Sequence, residues 1–256
     1  MGLAEDGAAG KEVVKQLNTP VQQRIETIMI NLERMRWMPA RSNGRNILVN
    51  IPAFKLYVSE GTKPVFNMKV VAGKPSNSTV IFAGQMKYVV LSPYWNVPYS
   101  IVKNEFGNQS AAYFAKRNME IVGRYADGLP EVREKPGPGN SLGRVKFLFP
   151  NSYSIYLHDT PAKDRFNENS RAFSHGCIRL GEPVKLAYYV LEGYTEWPKE
   201  KIDQAMNENK ETYVTLKQTI PVTIGYFTAW VDAEGKINFR KDIYGHDAKM
   251  AKRLFN

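Results

Sequence analysis

The chain of 256 residues contains one cysteine, Cys177, in the run RAFSHGCIRL from Arg171 to Leu180. It contains three histidines, His158, His175 and His246, and the first two bracket the thiol's neighbourhood. A protonated thiol is a weak nucleophile. It becomes a strong one when an imidazole takes its proton or backbone dipoles stabilise the thiolate. His158 closes a strand-like run, and Cys177 lies in a glycine-containing loop ahead of a helical pattern. Such a loop can aim consecutive N–H groups at one point, as a developing oxyanion requires. These residue types, in this order, suit nucleophilic catalysis by the thiol.

Blander readings compete with this one. A lone cysteine is ordinarily a small core residue. Here Gly176 permits unusual dihedrals or close approach, and Ser174, His175 and Arg179 make a core site too polar. His-x-Cys is not a zinc spacing and no carboxylate or second cysteine completes it, so no metal and no cofactor is expected. Chain adjacency favours His175 as the base, yet a separation of two positions does not bring its ring to the sulfur, and His158 stays open beside it. His246, in a polar tail, is expected to be exposed and without catalytic consequence.

The elements that must hold these residues belong to an ordinary globular composition, 43% hydrophobic and 23% charged. The length allows one large domain, or a domain with an appended piece. The formal net charge of +10 favours an anionic partner such as nucleic acid, a membrane face or a wall polymer. The basic residues are scattered rather than run together, which argues against nucleic acid. One cysteine makes no internal disulfide, and no apolar run is long enough to predict a membrane span. The opening MGLAEDGAAG has neither a basic nor an apolar leader region. The expectation is either a cytosolic protein or a chain whose targeting segment has been removed.

Lys11 to Leu17 reads as a short helix stopped by Asn18-Thr19-Pro20. An amphipathic helix follows, with Val21, Ile25, Ile28, Met29, Leu32 and Met35 at helical spacing, and is expected to pack that stripe on the main domain. From Asn46 the period becomes two, giving strands up to Gly73 with a hairpin turn at Glu60-Gly61, then a further strand run over 80–91. Between Pro93 and Pro138 the pattern breaks into Pro- and Gly-rich loops around a predicted helix, SAAYFAKRNMEIV, which suggests a lid or site wall. Strands return in GRVKFLFPNSYSIYLHDTP, EPVKLAYYVLEG reads as a helix with Pro183 in its first turn, and IPVTIGYFTAWVD and GKINFR read as late strands. The fold class is mixed, β-rich α+β.

The run SHGCIRL, Ser174 to Leu180, preceded by HDT at His158 to Thr160, resembles the signature of the L,D-transpeptidase catalytic domain family. NILVNIPAFKLYV and PGPGNSLGRVKFLFPNSYSIYLHDTP resemble that family's opening strands and the approach to its catalytic histidine in larger members. The likeness covers roughly 46–195. It departs after the arginine, where the family often has an asparagine and this chain has Gly181 and Glu182. Asp6, Gly7, Gly10, Leu17 and Asn18 resemble the end of a small helical peptidoglycan-binding module. The expected division is 1–20 as a remnant of that module, 21–45 as a linking helix, 46–195 as the catalytic domain with a capping insertion near 93–138, and 196–256 as an extension packed on it.

The resemblance implies a β-sandwich core with flanking helices and an inserted capping subdomain. It implies that Cys177 attacks the bond between the third residue of a peptidoglycan stem and a terminal D-alanine, and that a second stem's amine resolves the thioester. In this scheme His158 is the base, oriented by the Asp159 carbonyl or a nearby group. Backbone amides around His175, Gly176 and Cys177 hold the oxyanion. His175 has a wall or hydrogen-bonding role, Ser174 supports the loop or the histidine, and Arg179 locks the loop or meets a substrate carboxylate, with locking preferred. Tyr94, Trp95 and Tyr99 would line the donor channel. The partners would be peptidoglycan stems as donor and acceptor, the location the cell envelope, outside the inner membrane, and carbapenems would acylate the cysteine. Hydrolysis as an L,D-carboxypeptidase, or attachment of a protein to the wall, would use the same acyl-enzyme. A non-catalytic wall-binding protein and a nucleic-acid-binding domain are the readings of another class.

Overall fold

Alternating apolar residues from Arg45 onward build a sheet that carries the site, and the helices lie around it. The computed structural model describes residues 2–3 and 7–255; Asp6, part of the module resemblance, lies outside the described residues. In chain order the elements are α1 (Lys11–Leu17), α2 (Val21–Arg36), β1 (Arg45–Asn50), β2 (Lys55–Glu60), β3 (Lys63–Gly73), β4 (Phe82–Leu91), β5 (Trp95–Asn96), the single turn α3 (Tyr99–Ile101), and α4 (Ala111–Ala115). There follow β6 (Met119–Arg124), β7 (Pro130–Glu134), β8 (Val145–Leu148), β9 (Leu157–His158), β10 (Ala172–Ser174), β11 (Ile178–Leu180), α5 (Pro183–Val190) and α6 (Lys199–Asn207). The last are β12 (Thr212–Gly225), β13 (Ala229–Val231), β14 (Ile237–Phe239) and α7 (His246–Leu254).

Nine strands form one sheet in the order β10-β3-β11-β9-β8-β4-β12-β1-β2, and β2 also pairs with β3. That extra pairing closes the circuit, so the layers of the expected sandwich are one continuous sheet wrapped around its core, with β10 attached at β3. Closure removes most of the open edges that would otherwise invite intermolecular pairing. Val49, Leu56, Met86, Phe147, Leu157, Ile178 and Leu180 fill the interior, and Leu186, Ala187 and Val190 of α5 pack against it. The mixed α+β class holds.

The residues expected to form an outer extension instead supply a central strand. β12 pairs antiparallel with β4 and parallel with β1, so no break in the sheet falls near residue 195. Its sequence alternates as a strand with one face in the core; the apolar run IPVTIG was legible, its central position was not. The helices α6 and α7 were not read from the sequence at all.

The insertion has a core of its own. β5, β7 and β6 form a separate three-stranded sheet, and Val97, Ile101, Val102, Phe114, Met119 and Val132 cluster beneath it. The helix expected over SAAYFAKRNMEIV is half right. It stops at Ala115, Asn118 takes a positive φ of 59°, and the β-branched run that follows pairs with β7.

α2 corrects a second expectation. Ile30, Asn31 and Arg34 face the domain, whereas Val21, Ile25, Leu32 and Met35 stay exposed. Hydrogen bonds hold the buried side: Asn31 Nδ2 donates to Thr228 Oγ1 at 2.7 Å, Asn31 Oδ1 accepts the Thr228 N–H at 2.9 Å, and Arg34 pairs with Asp247 at 2.6 Å. Periodicity finds an apolar stripe but does not say which side is covered, and a fully paired polar side is stable when buried. Asn31→Ala is therefore expected to cost about 1–3 kcal/mol, and Leu32→Ala less than about 0.5 kcal/mol. Urea unfolding midpoints check this; the reverse ranking would mean that the apolar stripe is the packed side.

Candidate active site

Two short parallel strands set the site. In the β9–β11 pairing Leu157 lies beside Ile178 and His158 beside Arg179, with the Ile178 N–H donating to the Tyr156 carbonyl at 3.2 Å. Side chains alternate across a strand. Leu157, Ile178 and Leu180 point into the core, so Tyr156, His158, Cys177 and Arg179 share the opposite face. On the other side of β9, Lys146 of β8 is the antiparallel partner of His158 and joins that face.

His158 is buried, and its Nδ1 lies 2.5 Å from the carbonyl oxygen of Asp159. A carbonyl only accepts, so Nδ1 carries the proton and Nε2 is left bare as an acceptor. Asp159 is itself fixed. Its carboxylate accepts the N–H groups of Thr160 at 2.7 Å and Arg144 at 2.9 Å and pairs with Lys163, while its own N–H donates to Val145. Gly143 makes room for this carboxylate: a Cβ there would sit 2.3 Å from Asp159 Oδ2, and its φ is +61°.

The backbone polar groups of the loop that carries Cys177 are almost all paired. Ser174 Oγ accepts the Gly176 N–H at 3.1 Å and donates to the Cys177 carbonyl at 2.5 Å. Gly176 adopts a φ of +120°, which a side-chain-bearing residue takes only under strain. The Gly176 N–H is thus occupied, which corrects its expected part in an oxyanion site. The Cys177 N–H meets no protein acceptor among the described residues. The thiol donates to the Ser154 carbonyl at 3.7 Å, and no hydrogen bond joins it to His158 in this resting arrangement.

Residues 44–224 match the family model of the L,D-transpeptidase catalytic domain. The chain belongs to this family. A Haemophilus influenzae protein provisionally named an L,D-transpeptidase is 30% identical over 244 residues, covering 88% of this chain and 49% of that protein, so the chain spans about half the length of this curated relative. Among solved structures, the L,D-transpeptidase LdtMt1 in complex with imipenem aligns at 16% identity and a TM-score of 0.38, covering 71% of this chain and 59% of its own. An L,D-transpeptidase from Stackebrandtia nassauensis aligns at 15% and 0.35, covering 78% and 65%.

Within this L,D-transpeptidase domain the remaining predicted residues separate into groups. His175 Nε2 contacts Glu105 Oε1 of the capping insertion at 2.8 Å, so it links cap and loop. Trp95 approaches the Tyr156 side chain. Tyr94 stacks under the Arg133 guanidinium at 4.1 Å, and Tyr99 donates to Asp127 and packs edge-on against Tyr125, all within the insertion. Among the described residues neither tyrosine hydrogen-bonds or stacks with His158 or Cys177. Arg179 does not lock the loop by hydrogen bonds: its Nε is buried without a partner. Locking falls to Arg171, whose guanidinium bonds the carbonyls of Val70, Glu168 and Phe54. His246 is half-buried against Tyr226 and Tyr244 rather than exposed. Tyr156, Lys146 and Glu105 were not read from the sequence, and only the position of Tyr156 two residues before His158 could have flagged one of them. Among the described residues no cluster of three or more His, Cys, Asp or Glu could hold a metal.

Burial decides the charge state of the pair. It lowers the His158 imidazole from its ordinary 6.5 to about 3, helped by the positive charge of Arg179. It raises the Cys177 thiol, against hydrogen bonds from Tyr156 that favour the thiolate. At neutral pH the site holds a neutral thiol beside a neutral imidazole. The unfolded chain therefore binds the His158 proton first as pH falls, and the stability present above pH 6.5 is lost on the way down to the lowered value. The slope from this group is up to about 1.4 kcal/mol per pH unit. Melting temperatures should fall more steeply between about pH 7 and about pH 4 in the wild type than in His158→Gln; parallel curves would remove the neutral buried imidazole.

Proposed function

We propose that this domain is an L,D-transpeptidase that crosslinks the third residues of two peptidoglycan stems through a Cys177 thioester, with release of D-alanine. The observation that carries the proposal is a bare imidazole nitrogen, a thiol and an unspent backbone N–H on one face of a paired strand. The thiol turns from the Ser154 carbonyl to His158 Nε2 and gives up its proton as sulfur bonds to the substrate carbonyl carbon. Such a rotation fits a site that tightens when substrate binds. The Cys177 N–H stabilises the oxyanion; one such donor contributes about 2.7–4 kcal/mol. The imidazolium then protonates the departing D-alanine amine as the carbon–nitrogen bond breaks. An acceptor amine attacks the thioester, loses a proton to Nε2, and expels the thiol, which regains its proton.

Charge supports this substrate. Arg179 and Lys146 both bring positive charge to the site face; Lys146 is already paired with Glu211 at 3.5 Å, whereas Arg179 is without an anion of its own among the described residues. A carboxylate of the donor stem would supply that partner, and an arginine fork suits it. Tyr156 lies against the thiol, and Trp95 approaches the Tyr156 side chain. No helix among the described residues is long and apolar enough to cross a membrane. The substrate puts the reaction in the cell envelope, outside the inner membrane.

Mass spectrometry after incubation with imipenem is expected to show an adduct on the wild type that Cys177→Ala loses. With stem tetrapeptides the expected products are free D-alanine and crosslinked dimer. Trimmed tripeptide without dimer would mean an L,D-carboxypeptidase instead, and neither adduct nor D-alanine release would favour a wall-binding role.

A further inference from the structure

We infer that Thr79 and Tyr244 are positioning residues that turn the Gly176–Cys177 peptide so that its N–H faces the reacting carbonyl; this rests on Cys177 being the nucleophile. Gly176 and Cys177 present two carbonyls and two N–H groups. Ser174 takes the Gly176 N–H and the Cys177 carbonyl. The Gly176 carbonyl is taken from the other flank, by Thr79 Oγ1 at 2.8 Å. A peptide unit is planar and trans, so its N–H points opposite to its C=O. Holding the Gly176 oxygen on Thr79 therefore turns the Cys177 N–H away from Thr79, the one N–H of the pair not consumed by the protein.

The proton bookkeeping at Thr79 admits one arrangement. Its oxygen accepts the Gly73 N–H at 2.9 Å, so its single hydroxyl proton is free for Gly176. Thr79 is fully buried, and the loop from Lys74 to Thr79 folds so tightly over Gly73 that a Cβ there would lie 2.2 Å from the Asn77 carbonyl.

The C-terminal segment fixes this loop. Tyr244 Oη donates to the Gly73 carbonyl at 2.5 Å and accepts the Thr79 N–H at 3.4 Å. The Tyr244 N–H donates to Tyr226 Oη at 2.8 Å, and that hydroxyl donates to Asp242 at 2.6 Å. The Asp242 carboxylate also accepts the N–H groups of His246 and Asp247 at the start of α7. A continuous hydrogen-bonded path thus runs from α7 to the carbonyl behind the nucleophile. It gives the segment after β12 a role in the chemistry of the site.

The test separates a reaction that needs the oxyanion donor from one that does not. Thr79→Val, Thr79→Ser and Tyr244→Phe are compared with the wild type for acylation by imipenem and for alkylation of Cys177 by iodoacetamide. Thr79→Val should slow acylation about 10–100-fold, with alkylation changed less than about twofold. On a stem tetrapeptide the same variant should lower kcat far more than it changes KM. Thr79→Ser keeps the hydroxyl and should restore acylation to within about threefold, and Tyr244→Phe should fall between. Wild-type acylation in Thr79→Val, or equal losses of acylation and alkylation, would overturn the inference alone. A wild type that is alkylated but never acylated would overturn the proposed function and this inference with it.

Discussion

The parallel register of β9 on β11 is the constraint on which the site depends. Leu157 beside Ile178 and His158 beside Arg179 is a very short ladder, yet it decides which side chains lie on the face turned away from the core. A slip of β9 by one residue would exchange its faces, sending His158 into the core and Leu157 toward the cleft. The hydrophobic effect forbids that slip, because Leu157, Ile178 and Leu180 are fully buried within the main core. The apolar residues that carry no chemistry are thus the ones that position the residues that do.

The surroundings complete what the register begins, each through a group with no freedom left. The Asp159 backbone can present its carbonyl to His158 because its carboxylate and N–H are held elsewhere, and Gly143 clears the space. Ser174 can close the turn at Cys177 because a hydroxyl both accepts and donates. Electrostatics then sets the resting state. Arg179 and Lys146 both oppose a proton on His158, in the same direction as burial, so the imidazole stays a base rather than resting as the imidazolium partner of a thiolate. On the proposed mechanism, such a site keeps Cys177 protonated until a substrate carbonyl arrives to take the electron pair.

The residues of the candidate site were more legible in the sequence than the scaffold that brings them together. Cys177, His158, Ser174 and Gly176 lie in a compact run or at a fixed offset from it, where residue type alone carries information. The strands from Arg45 to Leu91 were legible because alternation is local. Thr79, Lys146 and Tyr156 were not, because their meaning comes from pairings between distant segments: the Thr79 hydroxyl is one residue's proton spent 97 positions away. The helix α2 failed for a related reason, since its covered side is defined by Thr228 and Asp247. α7 is only nine residues long and buries none of them, and its first turn is held by a carboxylate from the preceding loop.

The spacing between His158 and Cys177 has a physical reading of its own. Antiparallel neighbours can be joined by two residues, whereas parallel neighbours need a crossover of about a dozen or more. The segment from Asp159 to Cys177 is that crossover. It leaves β9, makes a tight helical turn over Lys163–Asn167, runs as β10 along the end of β3, and returns into β11 beside its starting strand. The loop with Ser174, Gly176 and Cys177 is its final corner. The same corner lies against the end of β3, where Lys74 donates to the Ser174 carbonyl and Thr79 reaches Gly176. A shorter connection would leave Cys177 with no route back to a parallel neighbour of His158, and one that bypassed β3 would leave the turn at Cys177 without its outer support. The long interval in the motif is the chain length that a parallel pairing requires, used on the way to build the wall that steadies the thiol.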